Sequence, residues 1–130
     1  MKRYFSILPV VIFLIALFVS AYLFTLPGKE LSAYSWSDIL YLDKIAHISI
    51  FFTLCYTAGW ALEAIRHQPV SFWVLILIAL LFVSYGIGVE FYQENSVEGR
   101  SFEVADIFAD AIGCLLFLIW SKAAGNKKSQ

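Results

Sequence analysis

Seven ionisable side chains lie inside or beside segments that are apolar enough to span a membrane. They are Asp43, Lys44, His47, Glu90, Arg100, Asp106 and Asp110. The chain around them is 61% hydrophobic and only 15% charged. A charged side chain at the centre of a bilayer costs about 2.5–3.5 kcal/mol even on a lenient insertion scale, so such residues are rarely left without partners. We therefore expect these side chains to meet at one polar site.

The residue types at this site suggest several kinds of chemistry. Arg100 and Lys44 can hold a phosphate or carboxylate group, and the acids can hold an ammonium group or a metal cation. One histidine among carboxylates suits Mg²⁺ or Ca²⁺ better than Zn²⁺, so a divalent cation is the cofactor that the set allows. His47 can also act as a general acid or base, with Glu90 and Asp106 as the other catalytic candidates.

The overall composition indicates a membrane protein with one domain, residues 1–130. The mean hydropathy is +0.78, and 18% of the residues are aromatic. The net charge of −1 gives no basis for binding nucleic acid. Cys55 and Cys114 both lie in apolar runs, where we expect small core residues rather than a disulfide framework, a redox pair or a zinc site.

Four segments are predicted to form membrane-spanning helices, each of which needs about 20 residues. The predicted helices cover residues 4–26, 41–66, 69–95 and 103–122. Counting about 20 residues back from Lys122 brings Asp106 and Asp110 into the bilayer. The predicted fold is thus an all-α integral membrane bundle of four transmembrane helices. Small residues expected at helix–helix contacts are Gly59, Gly88, Ala105, Ala109 and Gly113.

The distribution of basic residues predicts the orientation of the bundle. One side carries Lys2, Arg3, Arg66, Lys122, Lys127 and Lys128. By the positive-inside rule both termini are cytoplasmic, and the polar site faces outward. Trp60, Trp73 and Trp120 then fall at the cytoplasmic interface and Trp36 near the outer one. Residues 1–21 also resemble a signal peptide, although the apolar run continues past them and favours an uncleaved anchor.

Helical spacing places the polar side chains on shared faces, because residues three or four apart lie on one side of a helix. Asp43 and Lys44 each share a face with His47 in the second helix, and the third and fourth helices carry similar faces. The loop before the fourth helix brings Arg100 towards them, and Ser101 is a candidate N-cap of that helix. The candidate ligand-binding residues are Asp43, Lys44, His47, Glu90, Gln93, Arg100, Ser101, Asp106 and Asp110.

Structural roles compete with binding roles for several of these residues. His47 is a candidate for a buried histidine bonded to Asp43. Glu90 and Arg100 are candidates for an ion pair that holds the loop against the third helix, and Glu103 for a solvated charge at the rim.

The charges of the predicted site do not balance. The acids are Asp43, Glu90, Asp106 and Asp110, and the permanent cations are Lys44 and Arg100. An excess of about two negative charges requires a protonated carboxyl group, a charged His47 or a bound cation, because buried charges need partners.

In their order along the chain, these residues resemble the VanZ-like family of membrane proteins. The family pattern runs D-K-x-x-H, E-x-x-Q, G-R-S and then D-x-x-x-N with a following glycine. The matching residues are Asp43, Lys44, His47, Phe51, Glu90, Gln93, Gly99, Arg100, Ser101, Asp106 and Gly113. The match covers about residues 40–120, and the chain departs from the pattern at Asp110, usually Asn, and at Phe117, often Gly.

The resemblance implies a multi-pass protein of a bacterial plasma membrane, linked to teicoplanin-type glycopeptide resistance. It implies no particular reaction. Three functions stay open, in this order: an outward pocket that binds the headgroup of an envelope lipid or lipid-linked precursor, a membrane enzyme acting on such a substrate, and an ion or proton path. HExxH and GxSxG motifs are absent from the sequence. Catalysis and the oligomeric state are left open by the sequence.

Overall fold

The computed structural model describes residues 7–27 and 36–127, and every regular element in these two ranges is an α-helix. The helices are α1 (Leu8–Phe24), α2 (Trp36–Arg66), α3 (Phe72–Ser96) and α4 (Val104–Lys127). The prediction of an all-α chain is confirmed for these residues, which contain no strand.

Three of the helices are long and apolar enough to cross a membrane. The spanning stretches are Tyr41–Arg66, Phe72–Ser96 and Val104–Gly125. Helix α1 has 17 residues, which gives it a length of about 25 Å, less than the roughly 30 Å of a hydrocarbon core. Residues 4–6 of the predicted first helix and the segment 28–35 lie outside the described residues. The fourth span and the cytoplasmic termini therefore stay predictions.

The helix ends differ from the predicted ones for local reasons. Helix α3 begins at Phe72 rather than at residue 69, because His67 has a left-handed backbone (φ 54°) and Ser71 is extended. Helix α4 continues to Lys127 rather than ending at residue 122. An apolar run marks the width of a membrane, but a helix can continue into polar sequence beyond it.

Helix α2 lies at the centre of the bundle and packs against α1, α3 and α4, while α3 also packs against α4. The α2–α4 contact is close because Gly113 lies against the carbonyl oxygen of Ile48. A Cβ atom on Gly113 would collide with that oxygen and lie 3.1 Å from Cβ of Phe51. Small residues at such crossings let membrane helices approach without a hydrophobic driving force.

The other small residues divide into contact and non-contact positions. A Cβ atom on Gly59 would lie 3.4 Å from Leu75 and 3.6 Å from Phe117, so Gly59 is at a helix contact, as predicted. The prediction for Gly88 is wrong: this residue is exposed, and a Cβ atom there would meet nothing within 4 Å. In the Ala105–Ala109–Gly113 run only the last two are buried.

The interior combines an aromatic core with two buried cysteines. The core consists of Phe24, Phe51, Leu54, Cys55, Ala79, Phe82, Val89, Cys114 and Phe117. The two thiols are free, and their sulfur atoms lie 3.5 Å apart. Their predicted role as core residues is confirmed. Large apolar side chains also cover the outside, such as Phe18 and Trp73, which are 75% and 76% exposed. A lipid-facing surface has this character.

Candidate functional site

The predicted polar residues meet at the end of the bundle where α2 and α4 begin and α3 ends. We call this group the polar cluster. It comprises Asp43, Lys44, His47, Glu90, Arg100, Glu103, Asp106 and Asp110. His47, Glu90, Asp106 and Asp110 are at most 3% exposed. Sequence spacing therefore identified the correct end of the bundle and most members of the cluster.

His47 is bonded to Asp110. Sequence spacing had suggested Asp43 as its partner. The distance from His47 Nδ1 to Asp110 Oδ1 is 2.7 Å. An ionised Asp110 can only accept, so Nδ1 donates this bond, and Nε2 keeps a lone pair when the His47 ring is neutral. His47 Nε2 faces Asp106 Oδ2 at 3.9 Å, which is too long for a hydrogen bond.

Gly86 on α3 has no side chain and therefore leaves space for the His47–Asp110 pair. A Cβ atom on Gly86 would collide with Asp110 Oδ2, and it would lie 3.0 Å from Asp110 Cγ. Since α4 also approaches α2 closely at Gly113, Asp110 is held between two helices and reaches His47. The His47–Asp110 pairing depends on the distances between helices, which cannot be inferred from the spacing of residues within α2.

Lys44 is the centre of an ion-pair network between α2 and α4. Its ammonium group donates to Asp106 Oδ1, to Glu103 Oε2 at 2.9 Å and to Asp43 Oδ2 at 3.5 Å. Glu103 is therefore a member of the cluster and lies at its rim, where 42% of its side chain is exposed. Its position three residues before Asp106, on the same helical face, was the available sequence signal.

Arg100 lies in the loop between α3 and α4 and pairs with Asp43. Nη1 of Arg100 donates to Asp43 Oδ1 at 3.5 Å. The loop turns at Gly99, whose φ of 77° suits a glycine, and the Arg100 N–H donates to the Val97 carbonyl at 3.3 Å. Nε of Arg100 is buried and has no hydrogen-bond partner in the structure. Part of the guanidinium group is thus available to another acceptor.

The expected ion pair between Glu90 and Arg100 is not formed. Glu90 Oε2 instead accepts the backbone N–H of Glu103 at 2.9 Å, directly before the first turn of α4. The turn at Gly99 carries the Arg100 side chain to Asp43 on α2. Glu90 is fully buried, and its Oε1 atom has no hydrogen-bond partner.

Two candidate residues have roles outside the ion-pair network. Gln93 is buried, and its Nε2 donates to the Phe24 carbonyl at 3.1 Å, which ties the end of α1 to α3. Ser101 is exposed, and α4 begins three residues later at Val104. The predicted N-cap role of Ser101 is therefore wrong, because a cap must directly precede the first helical residue.

Aromatic rings close the polar cluster on its inner side. The His47 ring lies 5.1 Å from Phe24 and 6.5 Å from Phe51, between ring centroids. Beyond them, α2 carries no charged residue from Ile48 to Leu62, and α3 none from Phe72 to Val89. A path for ions would need polar groups there, so this arrangement favours a site at one end of the bundle.

The described cluster has a larger charge imbalance than the sequence suggested. With Glu103 included, five carboxyl groups face two permanent cations, Lys44 and Arg100. One donor atom each from Asp43, His47 and Asp106 lies within 4.8 Å of the others, close enough to hold a metal ion. The cluster can thus attract a cation through its acids and an anion through Arg100.

Comparisons with known proteins give one informative likeness. An uncharacterized protein of the fission yeast Schizosaccharomyces pombe is 30% identical over 108 residues, which are 83% of this chain. The chain spans 59% of the length of that relative. No family model matches the chain. No solved structure matches it either.

Proposed function

We propose that this protein is a VanZ-like, multi-pass membrane protein whose polar cluster binds the anionic headgroup of an envelope lipid or lipid-linked precursor. It has four spanning helices, both termini are cytoplasmic, and the cluster opens to the outer face of a bacterial plasma membrane. The first binding element is Arg100, and the buried acids with His47 form the wall behind it.

The observation that carries this proposal is the incomplete bonding of Arg100. A guanidinium group has five N–H donors in a planar fork. Here Nη1 makes a 3.5 Å bond to Asp43, and the buried Nε makes none. Leaving a buried donor unpaired costs about 1–3 kcal/mol, and a phosphate oxygen would remove that cost. The Arg100 side chain is 17% exposed, so an anion can reach it.

The opposite end of the bundle supports the proposed orientation. Trp60, Trp73 and Trp120 are 39%, 76% and 47% exposed. Tryptophan is enriched at membrane–water interfaces, and basic residues are enriched on the cytoplasmic side. Arg66 ends α2 at this end of the bundle, far from the polar cluster along the chain.

Lipids that co-purify with the protein test the proposal. We would purify the full chain in mild detergent and quantify bound phospholipids and lipid-linked phosphates by mass spectrometry. Arg100→Gln should lose the bound anionic lipid about ten-fold or more, since a charged hydrogen bond contributes about 1.5–3 kcal/mol. Arg66→Gln removes the same charge at the other end and is the matched control. Equal lipid content in the two variants would refute the proposal.

The resemblance extends the proposal to antibiotic susceptibility. A protein that binds a lipid-linked precursor at the outer face changes how much of it a glycopeptide can reach. Expression of the wild type in a susceptible bacterium should then raise the inhibitory concentration of teicoplanin, and expression of Arg100→Gln should not. An equal rise in the inhibitory concentration with both proteins would show that resistance does not depend on Arg100.

The His47–Asp110 pair favours a second candidate function, a membrane enzyme acting on the same lipid. A carboxylate on Nδ1 orients a histidine whose Nε2 can take a proton, as in acid–base catalysis. Lipid extracts of a deletion strain, complemented with wild type, His47→Ala or Asp106→Asn, test this candidate. A precursor that accumulates in the deletion and in both variants would establish catalysis, and unchanged lipids would exclude it.

A further inference from the structure

The headgroup proposal uses Arg100 and gives no role to His47 Nε2 or Asp106 Oδ2, which face each other at 3.9 Å on the inner side of the polar cluster. We propose that Asp43, His47 and Asp106 form a binding site for a divalent cation, with two carboxylate oxygens and His47 Nε2 as ligands. The role of the cation as a bridge to an anionic headgroup rests on the proposed function, whereas the metal site itself does not.

The distances between the donor atoms suit a metal site. One donor atom from each residue lies within 4.8 Å of the other two, and Nε2 of His47 is 3.9 Å from Asp106 Oδ2. Ligands about 2.1 Å from an octahedral metal lie about 3 Å apart at right angles and about 4.2 Å apart across the ion. A small inward movement of the side chains would therefore complete the coordination.

The orientation of His47 is a second and independent feature. Metal-binding histidines donate their other ring N–H to a carboxylate or carbonyl group, which fixes the ring and raises its basicity. The 2.7 Å bond from His47 Nδ1 to Asp110 provides this support and turns Nε2 towards Asp106. In the neutral ring this arrangement directs the Nε2 lone pair towards the proposed metal position.

Glu90 provides a third observation, because it is a fully buried carboxylate with an unsatisfied oxygen. Its Oε1 atom has no hydrogen-bond partner, although the residue is fully buried. An ionised Glu90 would have only the Glu103 N–H as a partner, and a buried charge that is incompletely paired costs several kcal/mol. A divalent cation in the cluster would stabilise Glu90 together with its direct ligands.

Lys44 does not replace this cation. Its ammonium group contacts Oδ1 of Asp106 and the carboxylates of Asp43 and Glu103, and it leaves Asp106 Oδ2 facing His47. The two oxygens of Asp106 thus serve two different partners. With five carboxyl groups against Lys44 and Arg100, the cluster has an excess of negative charge when all five are ionised and His47 is neutral.

The donor set indicates the class of metal. Carboxylates suit Mg²⁺, Ca²⁺ and Mn²⁺, and an imidazole nitrogen shifts the preference towards ions that accept nitrogen ligands. Three protein ligands also leave positions open for water or a phosphate oxygen. Mn²⁺ satisfies both donor types and is paramagnetic, so it is the probe of choice.

Electron paramagnetic resonance with Mn²⁺ tests the site directly. The full chain, purified in detergent and stripped of metals with a chelator, should bind one Mn²⁺ per chain. Pulsed measurements on this complex should show modulation from an imidazole nitrogen, and isotopic nitrogen labelling of histidine should change its frequency. This part of the experiment needs no variant. Absence of bound Mn²⁺, or of the nitrogen signal, would overturn the proposal.

Matched variants then assign the ligands. His47→Gln should remove the nitrogen modulation, while His67→Gln, which alters the other histidine at the far end of α2, should keep it. Asp43→Asn and Asp106→Asn should weaken Mn²⁺ binding ten-fold or more, and Glu94→Gln, an exposed acid on α3, should not change it. Survival of the signal in folded His47→Gln, or equal weakening in Glu94→Gln, would contradict the assignment.

The two proposals can fail separately. If Mn²⁺ binds as expected but Arg100→Gln keeps its lipids, the metal site stands and headgroup binding is wrong. If Arg100→Gln loses its lipids but the wild type binds no Mn²⁺, the headgroup site stands and the metal site is wrong.

Discussion

Two glycines in the same helix allow a direct test of how the polar cluster is packed. Gly86 and Gly88 both lie within α3. A Cβ atom on Gly86 would collide with Oδ2 of Asp110 and lie 3.1 Å from Cζ of Phe51. A Cβ atom on Gly88 would meet nothing within 4 Å. Alanine at the first position should therefore displace the Asp110 carboxylate, and alanine at the second should disturb no neighbour.

The expected loss of stability is the difference in free energy of unfolding between the two alanine variants. Alanine favours a helix over glycine by about 1 kcal/mol, and this gain is common to both substitutions. Extra volume in a packed interior costs about 1–3 kcal/mol. Asp110 is also bonded to His47 at 2.7 Å, so its displacement weakens that bond as well. We expect Gly86→Ala to be about 1–3 kcal/mol less stable than Gly88→Ala.

Unfolding in mixed micelles with increasing dodecyl sulfate measures this difference. Tryptophan fluorescence reports the transition, since the chain has four tryptophans, and circular dichroism checks that both variants start with the same helix content. Equal free energies of unfolding for Gly86→Ala and Gly88→Ala would refute the close contact between Gly86 and Asp110. The reversed order would refute the packing of α3 against α4 at this position.

Substitutions at three further positions test single contacts. Arg100→Lys should lose co-purified anionic lipid about ten-fold, as measured by mass spectrometry, because lysine cannot reproduce a bidentate fork; full retention would make Arg100 a simple point charge. The free energy of unfolding of Asp110→Asn should lie within about 1 kcal/mol of the wild-type value, because the Asn carbonyl oxygen can still accept from His47. That of Asp110→Leu should be about 1–3 kcal/mol lower. Gln93→Leu removes the donor to the Phe24 carbonyl, so amide hydrogen exchange in α1 should become faster; unchanged exchange would show that α1 is held by packing alone.

The helices and the location of the polar cluster could be predicted from sequence because both depend on local periodicity. Apolar runs of about 20 residues identify α2 to α4, and the spacing of three or four residues places acids on one face. Asp106 and Asp110 were expected inside the bilayer on the basis of length alone, and both are buried at the expected end of the bundle. These inferences need no knowledge of how the helices pack.

The pairings inside the cluster could not be predicted, because they depend on distances between helices. Asp43 and His47 share a helical face, yet His47 bonds to Asp110 across the bundle. That contact needs the close approach of α4, which Gly113 allows, and the space left by Gly86. Sequence periodicity says which residues face inward, and it does not say how far apart two facing helices lie.

The loop between α3 and α4 shows the same limit in a different form. The sequence allowed Arg100 to pair with Glu90, and it allowed Ser101 to cap α4. A turn at Gly99 instead sends the Arg100 side chain to Asp43, and Glu90 accepts the backbone N–H of Glu103. The course of this loop places the guanidinium group beside Asp43, and the spacing of the acids along the chain does not reveal it. A glycine in the sequence indicates a turn but not its type, because several turn types accept glycine.

The packing around the polar cluster determines the side from which a neutralising cation can enter. The aromatic rings of Phe24 and Phe51 exclude water from the inner side of His47. A cation therefore cannot reach the cluster from the interior of the bundle. A cation that neutralises the cluster has to enter from the end that carries Arg100, whose side chain is 17% exposed. A cation and an anionic headgroup that enter there would each reduce the cost of holding the other, because opposite charges attract strongly in a medium of low dielectric constant. We therefore expect Mn²⁺ to increase the retention of anionic lipid in the wild type and to have no such effect in Asp106→Asn, and independent binding of metal and lipid would refute this coupling.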